Sequence, residues 1–161
     1  PHPREDSDWF RTLEGRQVGI LIDDGSDAKI FAAVKKAVEG AKAHPVVIAP
    51  KVGGATMSDG KKQKADGQLA GTPSIFMDAI ALVLSADAAK KLCGESAAVQ
   101  FVMDAFGHLK AIGHTADAKA LLDKAGVQAD EGTVDLSNGM AFVKAAAKRF
   151  FERERKVRIL P

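Results

Sequence analysis

The residues of this sequence with the means to do chemistry are one thiol, four imidazoles and a knot of carboxylates near the amino end. Cys93, the one cysteine, stands in Lys91-Leu92-Cys93-Gly94, toward the end of a helical stretch. There the helix dipole works against a thiolate, so the thiol reads as a small structural side chain. A single cysteine also rules out an internal disulfide and a cysteine-built zinc site. His2, His44, His108 and His114 are scattered. None is four residues from another histidine or a well-placed acid on one helix face, and no metal site is expected. Asp23, Asp24 and Asp27 crowd around Gly25. Three carboxylates repel a phosphate, and the Gly-x-Gly-x-x-Gly spacing is absent, which argues against a flavin or dinucleotide. Paired acids after a first strand also suit the Mg²⁺ site of a receiver domain, with Asp87 as phospho-acceptor and Thr115 as switch hydroxyl. Asp87, however, falls within a helix start, and no lysine ends a fifth strand. Capping of the next helix by Asp24 and Asp27 is the stronger reading. A hydrolase needs its nucleophile on a strand-to-helix elbow. The best elbow, Gly113-His114-Thr115-Ala116-Asp117, has neither Cys nor Ser, and adjacent His114 and Thr115 point apart on a tight turn. Tyrosine is absent altogether, so phenolate chemistry has no place in this chain.

These residues are set between short continuous apolar runs and amphipathic stretches. Residues 17–22, 45–49, 79–84 and 111–114 read as strands buried on both faces of a parallel sheet. Helices are expected near 27–42, 86–92, 95–109, 117–125 and 138–151, with Asp117 and Asn138 as caps and Gly126 as a stop. The stripe on the last helix is Met140, Val143, Ala146, Ala147 and Phe150. An edge strand is expected near Thr133-Val134. Residues 51–73 break the alternation, and Ser58-Asp59-Gly60-Lys61 carries the signal of a tight hairpin. Strands alternating with helices predict an open, mostly parallel α/β sheet of the flavodoxin-like kind, with helices on both faces and a small hairpin insertion. In such folds sites lie at the carboxyl ends of the strands, here 23–27, 51–55, 85–88 and 113–117.

The 161 residues are 46% hydrophobic and 27% charged, with a net charge of +2, the balance of a soluble globular domain with no general pull toward nucleic acid or anionic lipid. No apolar run approaches the ~20 residues of a membrane span. The first residues are polar and acidic, so no signal peptide is expected and the location reads as cytoplasmic. Starting at Pro1 suggests a piece of a longer chain. Residues 1–15 read as a linker or arm, with Ser7 capping one helical turn that carries Trp9, Phe10 and Leu13, and residues 16–161 as the domain. From Lys144 to Pro161 seven basic residues face two acids around Phe150 and Phe151. That pattern suits a solvated helix end, with nucleic-acid binding as the competing reading. The Val157-Arg158-Ile159-Leu160 tail suits docking.

Several ordered motifs carry a family resemblance. They are Leu13-Glu14-Gly15-Arg16-Gln17-Val18-Gly19-Ile20-Leu21, then Ala65-Asp66-Gly67-Gln68-Leu69-Ala70-Gly71-Thr72-Pro73-Ser74 leading to Met77-Asp78-Ala79, then Phe106-Gly107-His108-Leu109-Lys110-Ala111-Ile112, and Gly132-Thr133-Val134. Together they resemble the C-terminal domain of large-subunit catalases over nearly the whole chain. That domain is similar in fold to the class I glutamine amidotransferase-like superfamily, with its deglycase, protease-like and chaperone branches. Active members carry a cysteine on the elbow after the strand matching 111–113. Here the elbow is Gly113-His114-Thr115, so no catalytic, cofactor-binding or metal-binding residue carries over.

The resemblance implies a parent that decomposes hydrogen peroxide on haem, with a tyrosine axial ligand and a distal histidine supplied by a β-barrel core. This chain lacks both the tyrosine and the core. The implied role is therefore non-catalytic: stabilising the tetramer by packing on the catalase core and neighbouring subunits, and chaperone-like binding of unfolded clients when isolated. No nucleic acid and no membrane partner is expected, and no cofactor in this domain. The alternative is a weak hydrolase, deglycase or glyoxalase, which requires Cys93 to reach the cleft near Gly113.

Overall fold

A computed structural model describes residues 13–147. Trp9, the Ser7 cap, Phe150, Phe151 and the 157–160 tail lie outside the described residues. Six parallel strands form one sheet in the order β5-β2-β1-β6-β7-β8. They are β1 (Gln17–Ile22), β2 (His44–Ala49), β5 (Gly67–Gln68), β6 (Ala79–Val83), β7 (Ala111–His114) and β8 (Thr133–Asp135). A separate antiparallel pair, β3 (Ala55–Thr56) and β4 (Lys62–Gln63), forms the expected hairpin.

Side-chain alternation on the strands divides the core into two layers. Val18, Ile20 and Ile22 of β1, with Ala79, Ala81 and Val83 of β6, face α1 (Ala28–Gly40) and α5 (Gly139–Ala146). Leu21, Ile80, Leu82 and Ile112 face α2 (Ala86–Leu92), α3 (Ser96–Gly107) and α4 (Lys119–Lys124). Both faces of the central strands are covered, which is why they read as unbroken apolar runs rather than alternating ones. Phe101 on α3 and Phe142 on α5 are the bulkiest fully buried side chains of the two layers. Leu13, in the segment read as an arm, is itself buried in the α1/α5 layer.

Local chemistry sets the helix ends. Asp27 accepts from the Ile30 amide at the start of α1, Ser85 from Ala88 at the start of α2, and Asn138 from Ala141 at the start of α5. Gly126, with φ of 75°, ends the α4 segment in the left-handed region that glycine enters without a Cβ penalty.

Three expectations need correction. Asp24 does not cap α1: it is turned toward the hairpin, accepting from the Thr56 amide and from Lys51 Nζ. Asp117 does not cap α4: it sits in the first turn of a short 3-10 segment (Ala116–Ala118) whose N-cap is Thr115. On α5 the inward stripe is Phe142, Ala145 and Ala146, whereas Met140 is 64% exposed. Apolar side chains occupy consecutive positions there, so periodicity admits two stripes, and the larger ring takes the interior.

Candidate functional site

The strand order reverses between β1 and β6, one leading out to β2 and the other to β7. The crevice beyond their carboxyl ends is where an open parallel sheet places a ligand. It is bordered by Asp23, Asp24, Gly25 and Ser26 after β1, by Leu84 and Ser85 after β6, and by His114 and Thr115 at the end of β7.

The hydroxyls here are spent on the protein itself, whereas buried Asp23 Oδ2 has no hydrogen-bond partner among the described residues. The Ser26 hydroxyl accepts from the Asp23 amide and lies within donating reach of the Asp23 and Val83 carbonyls, so it ties β1 to β6. Thr115 Oγ1 accepts from the Leu84 amide at 3.2 Å and donates to the Leu84 carbonyl at 2.8 Å, tying β6 to β7. Ser85 is the α2 cap. The hairpin lies over the β1–α1 turn through Gly25 N–H to the Thr56 carbonyl and Ser58 N–H to the Ser26 carbonyl. Ser58 Oγ in turn accepts from the Ala28 amide. Gly54 makes the closure possible: at φ 96°, a Cβ would sit 1.9 Å from the Gln63 carbonyl oxygen.

The three acids have separate partners. Asp23 is 1% exposed, accepts from the Asp24 amide through Oδ1, and faces Lys91 Nζ at 3.2 Å through Oδ2. Asp24 pairs with Lys51 at 2.6 Å. The Lys51 ammonium, and then the Thr56 N–H, hold the Asp24 carboxyl below its usual range, while the Asp24 carboxylate raises Lys51. Asp135, in register with His114, is also lowered, chiefly by the Ser137 N–H. A lowered carboxylate stabilises the fold above its unfolded value near ~3.9, and that contribution goes as pH falls through the folded value. Asp24→Asn should therefore lower the urea midpoint at pH 7, with the gap to the parent chain narrowing below about pH 4 and in high salt. Equal gaps at pH 3 and pH 7 would contradict the assignment.

Among the described residues no three His, Cys, Asp or Glu side chains gather as a metal site would require. Asp87 lies in the first turn of α2, as the sequence indicates, so the receiver arrangement has no phospho-acceptor at a strand end. Cys93 is the C-cap of α2, and its Sγ lies 3.3 Å from the carbonyl oxygens of Ala89 and of Ala120 on α4. The seven residues of α2 carry the thiol about 10 Å down the sheet from Ser85. The elbow therefore has no thiol. Gly113 has no room for one either: a Cβ there would stand 2.5 Å from Leu136 Cδ2 and 2.6 Å from Phe142 Cδ1.

Comparison with known families now decides the kinship. Residues 14–153 match the C-terminal domain found in long catalases. This chain belongs to that family. Catalase C of Rhizobium meliloti is 42% identical over 151 residues, covering 92% of this chain and 21% of the relative. Catalase-1 of Neurospora crassa is 37% identical over 114 residues, covering 71% and 16%. The catalase C-terminal domain thus spans about a fifth of the length of these curated relatives. Among solved structures, a DJ-1 mutant from Schizosaccharomyces pombe superposes with TM-score 0.70 at 14% identity, covering 91% of this chain and all of the other. That likeness shows a fold shared with DJ-1.

The sequence has no tyrosine. Of the histidines in the described residues, His44 and His108 are exposed, and His114 Nδ1 lies 3.1 Å from the Thr115 carbonyl. Two buried polar residues escaped the sequence reading. Ser74 donates to the Phe101 carbonyl, and Lys110, 6% exposed, donates from Nζ to the Ser74 and Ile75 carbonyls. A lysine and a serine inside apolar stretches give no periodic signal, and only the tertiary fold shows what they hold.

Proposed function

We propose that this catalase C-terminal domain works by contact and performs no chemistry of its own. The observation that carries the reading is the switch-point crevice. Each hydroxyl there is engaged in tying strands or capping a helix, and the elbow is filled by Leu136 and Phe142. Its role is to stabilise the tetramer of a long, haem-bearing catalase that decomposes hydrogen peroxide in the cytoplasm, by packing on the core and on neighbouring subunits. Residues 16–161 form the domain, and 1–15 an arm that Leu13 anchors. The exposed side chains of Ile75 and Phe76 support contact of this kind. They stand on a turn pinned to α3 through Ser74, and Met103 is exposed on α3 itself. Large exposed apolar side chains on neighbouring elements suit an interaction site. Released from the parent, the same surface would hold unfolding clients, with neither nucleic acid nor membrane as partner.

The test is removal and return. A long catalase lacking this domain should dissociate at a lower temperature than the intact tetramer, and the separate 161-residue chain should restore part of the difference. The chain alone should leave hydrogen peroxide intact and show no Soret band after haem addition. It should also suppress light scattering from a heat-aggregating client equally at low and high salt, because apolar contacts persist where phosphate contacts weaken steeply. Unchanged dissociation on removal would end the structural reading. Salt-sensitive DNA binding would replace the chaperone half. Hydrolytic turnover abolished by Cys93→Ser would revive the enzyme reading.

A further inference from the structure

The hairpin that closes the switch-point crevice opens a second space on its outer side. A cavity of about 400 Å³ lies between α1 and the β3–β4 hairpin. That volume falls within the ~300–1,000 Å³ typical of small-molecule sites. Its apolar lining comes from Phe31 and Met57, both 6% exposed, with Ala28 and Ala32 beside them. Lys35 and Lys36 border it from α1, and Lys61 and Lys62 from the hairpin. None of the four enters an ion pair among the described residues. Two acids also line the space, Glu39 and Asp59, and Asp59 is turned back on its own hairpin, accepting from the Lys61 amide. The walls are held in place beforehand. Ser58 bonds both to Ser26 and to the first residue of α1, and Met57 N–H donates to the Lys61 carbonyl.

Four lysines against the carboxylates of Glu39 and Asp59 leave a net positive charge along the walls, which an anion offsets. The buried ring and thioether add affinity for an apolar body, which inorganic phosphate lacks. We propose that this groove binds a small organic anion, an aryl or acyl carboxylate, sulfonate or phosphate ester. Its charge is held by Lys35 and Lys36 across from Lys61 and Lys62, and its apolar part lies on Phe31 and Met57. The binding is independent of the catalase core and leaves the switch-point crevice untouched.

The test uses the 161-residue chain and 8-anilinonaphthalene-1-sulfonate as probe. Saturable binding of one equivalent is expected. Amide NMR shifts should be confined to residues 28–39 and 57–63, and affinity should fall at least tenfold between low and high salt. Lys35→Gln combined with Lys61→Gln should weaken binding at least tenfold, with the far-UV spectrum unchanged, while Lys119→Gln on the opposite layer should have no effect. Should the double variant fail to fold, Lys36→Gln and Lys62→Gln singly should each weaken binding severalfold. Equal binding of the uncharged N-phenyl-1-naphthylamine would overturn the proposal. So would equal binding of inorganic phosphate, shifts centred on Ile75 and Phe76, or no saturable binding.

Discussion

A Gly113→Cys chain is expected to unfold at a markedly lower urea concentration than the parent and to gain no hydrolytic activity. The substitution puts a cysteine at the elbow where the resemblance to the amidotransferase-like superfamily implies one in active members. The new Cβ would meet Leu136 Cδ2 at 2.5 Å and Phe142 Cδ1 and Cε1 at 2.6 and 2.8 Å. Neither neighbour can swing into solvent, because Leu136 is 3% exposed and Phe142 0%. Overpacking of this kind costs roughly 1–3 kcal/mol or more, against a total stability of about 5–15 kcal/mol for an ordinary domain. Gly113→Ser should cost about as much, since the clash belongs to Cβ and not to sulfur. His114→Cys, one residue on and half-buried, should cost less. Urea unfolding with an unchanged slope measures all three. A parent-like midpoint for Gly113→Cys would show that the elbow has the room the contacts deny it.

The contrast between Gly113 and its surroundings also shows where sequence reasoning reaches its limit. The four long strands were legible because each is an apolar run covered on both faces. The structure places them within a residue or so of the expected bounds. β5 was not legible: its two residues, Gly67 and Gln68, pair with Ile48 and Ala49 without any periodicity of their own. The hairpin was legible from Asp59-Gly60, but its strands proved to be 55–56 and 62–63, with the signal residues forming the turn between them. At the candidate site the sequence identified the elbow as empty, which rests on residue types alone. It read Asp27 correctly as the cap of α1 but could not place Asp23 and Asp24, because those two answer to distant partners. Lys91 on α2 meets Asp23, and Lys51 with Thr56 meets Asp24. Nor could it foresee the plug at Gly113, which is built from Leu136 and Phe142, more than twenty residues away.

That plug makes the second large effect specific. Phe142→Ala is expected to destabilise the domain by about 3–5 kcal/mol, the usual cost of emptying a fully buried phenylalanine site. The ring sits with Ala145 and Ala146 on the inner face of α5, in the layer shared with α1. The informative measurement is the combination with Gly113→Cys. Two of the three atoms that obstruct a Cβ at 113 belong to the Phe142 ring. Removing the ring should therefore relieve most of the overpacking, while the cysteine side chain refills part of the cavity. The double variant should be less destabilised than the sum of the single ones, with a coupling of about 1–3 kcal/mol, within the range found for residues in direct contact. Pairing Gly113→Cys with Phe101→Ala, in the opposite layer, should give no coupling beyond about 0.5 kcal/mol. Urea unfolding of the single and double variants decides the matter. Strict additivity at 113 and 142 would mean that the backbone of β7 moves aside to admit the cysteine. The elbow would then be closed by strand position and not by the ring. Strong coupling would place the closure in Phe142 itself, a side chain standing where an active elbow needs room for its nucleophile.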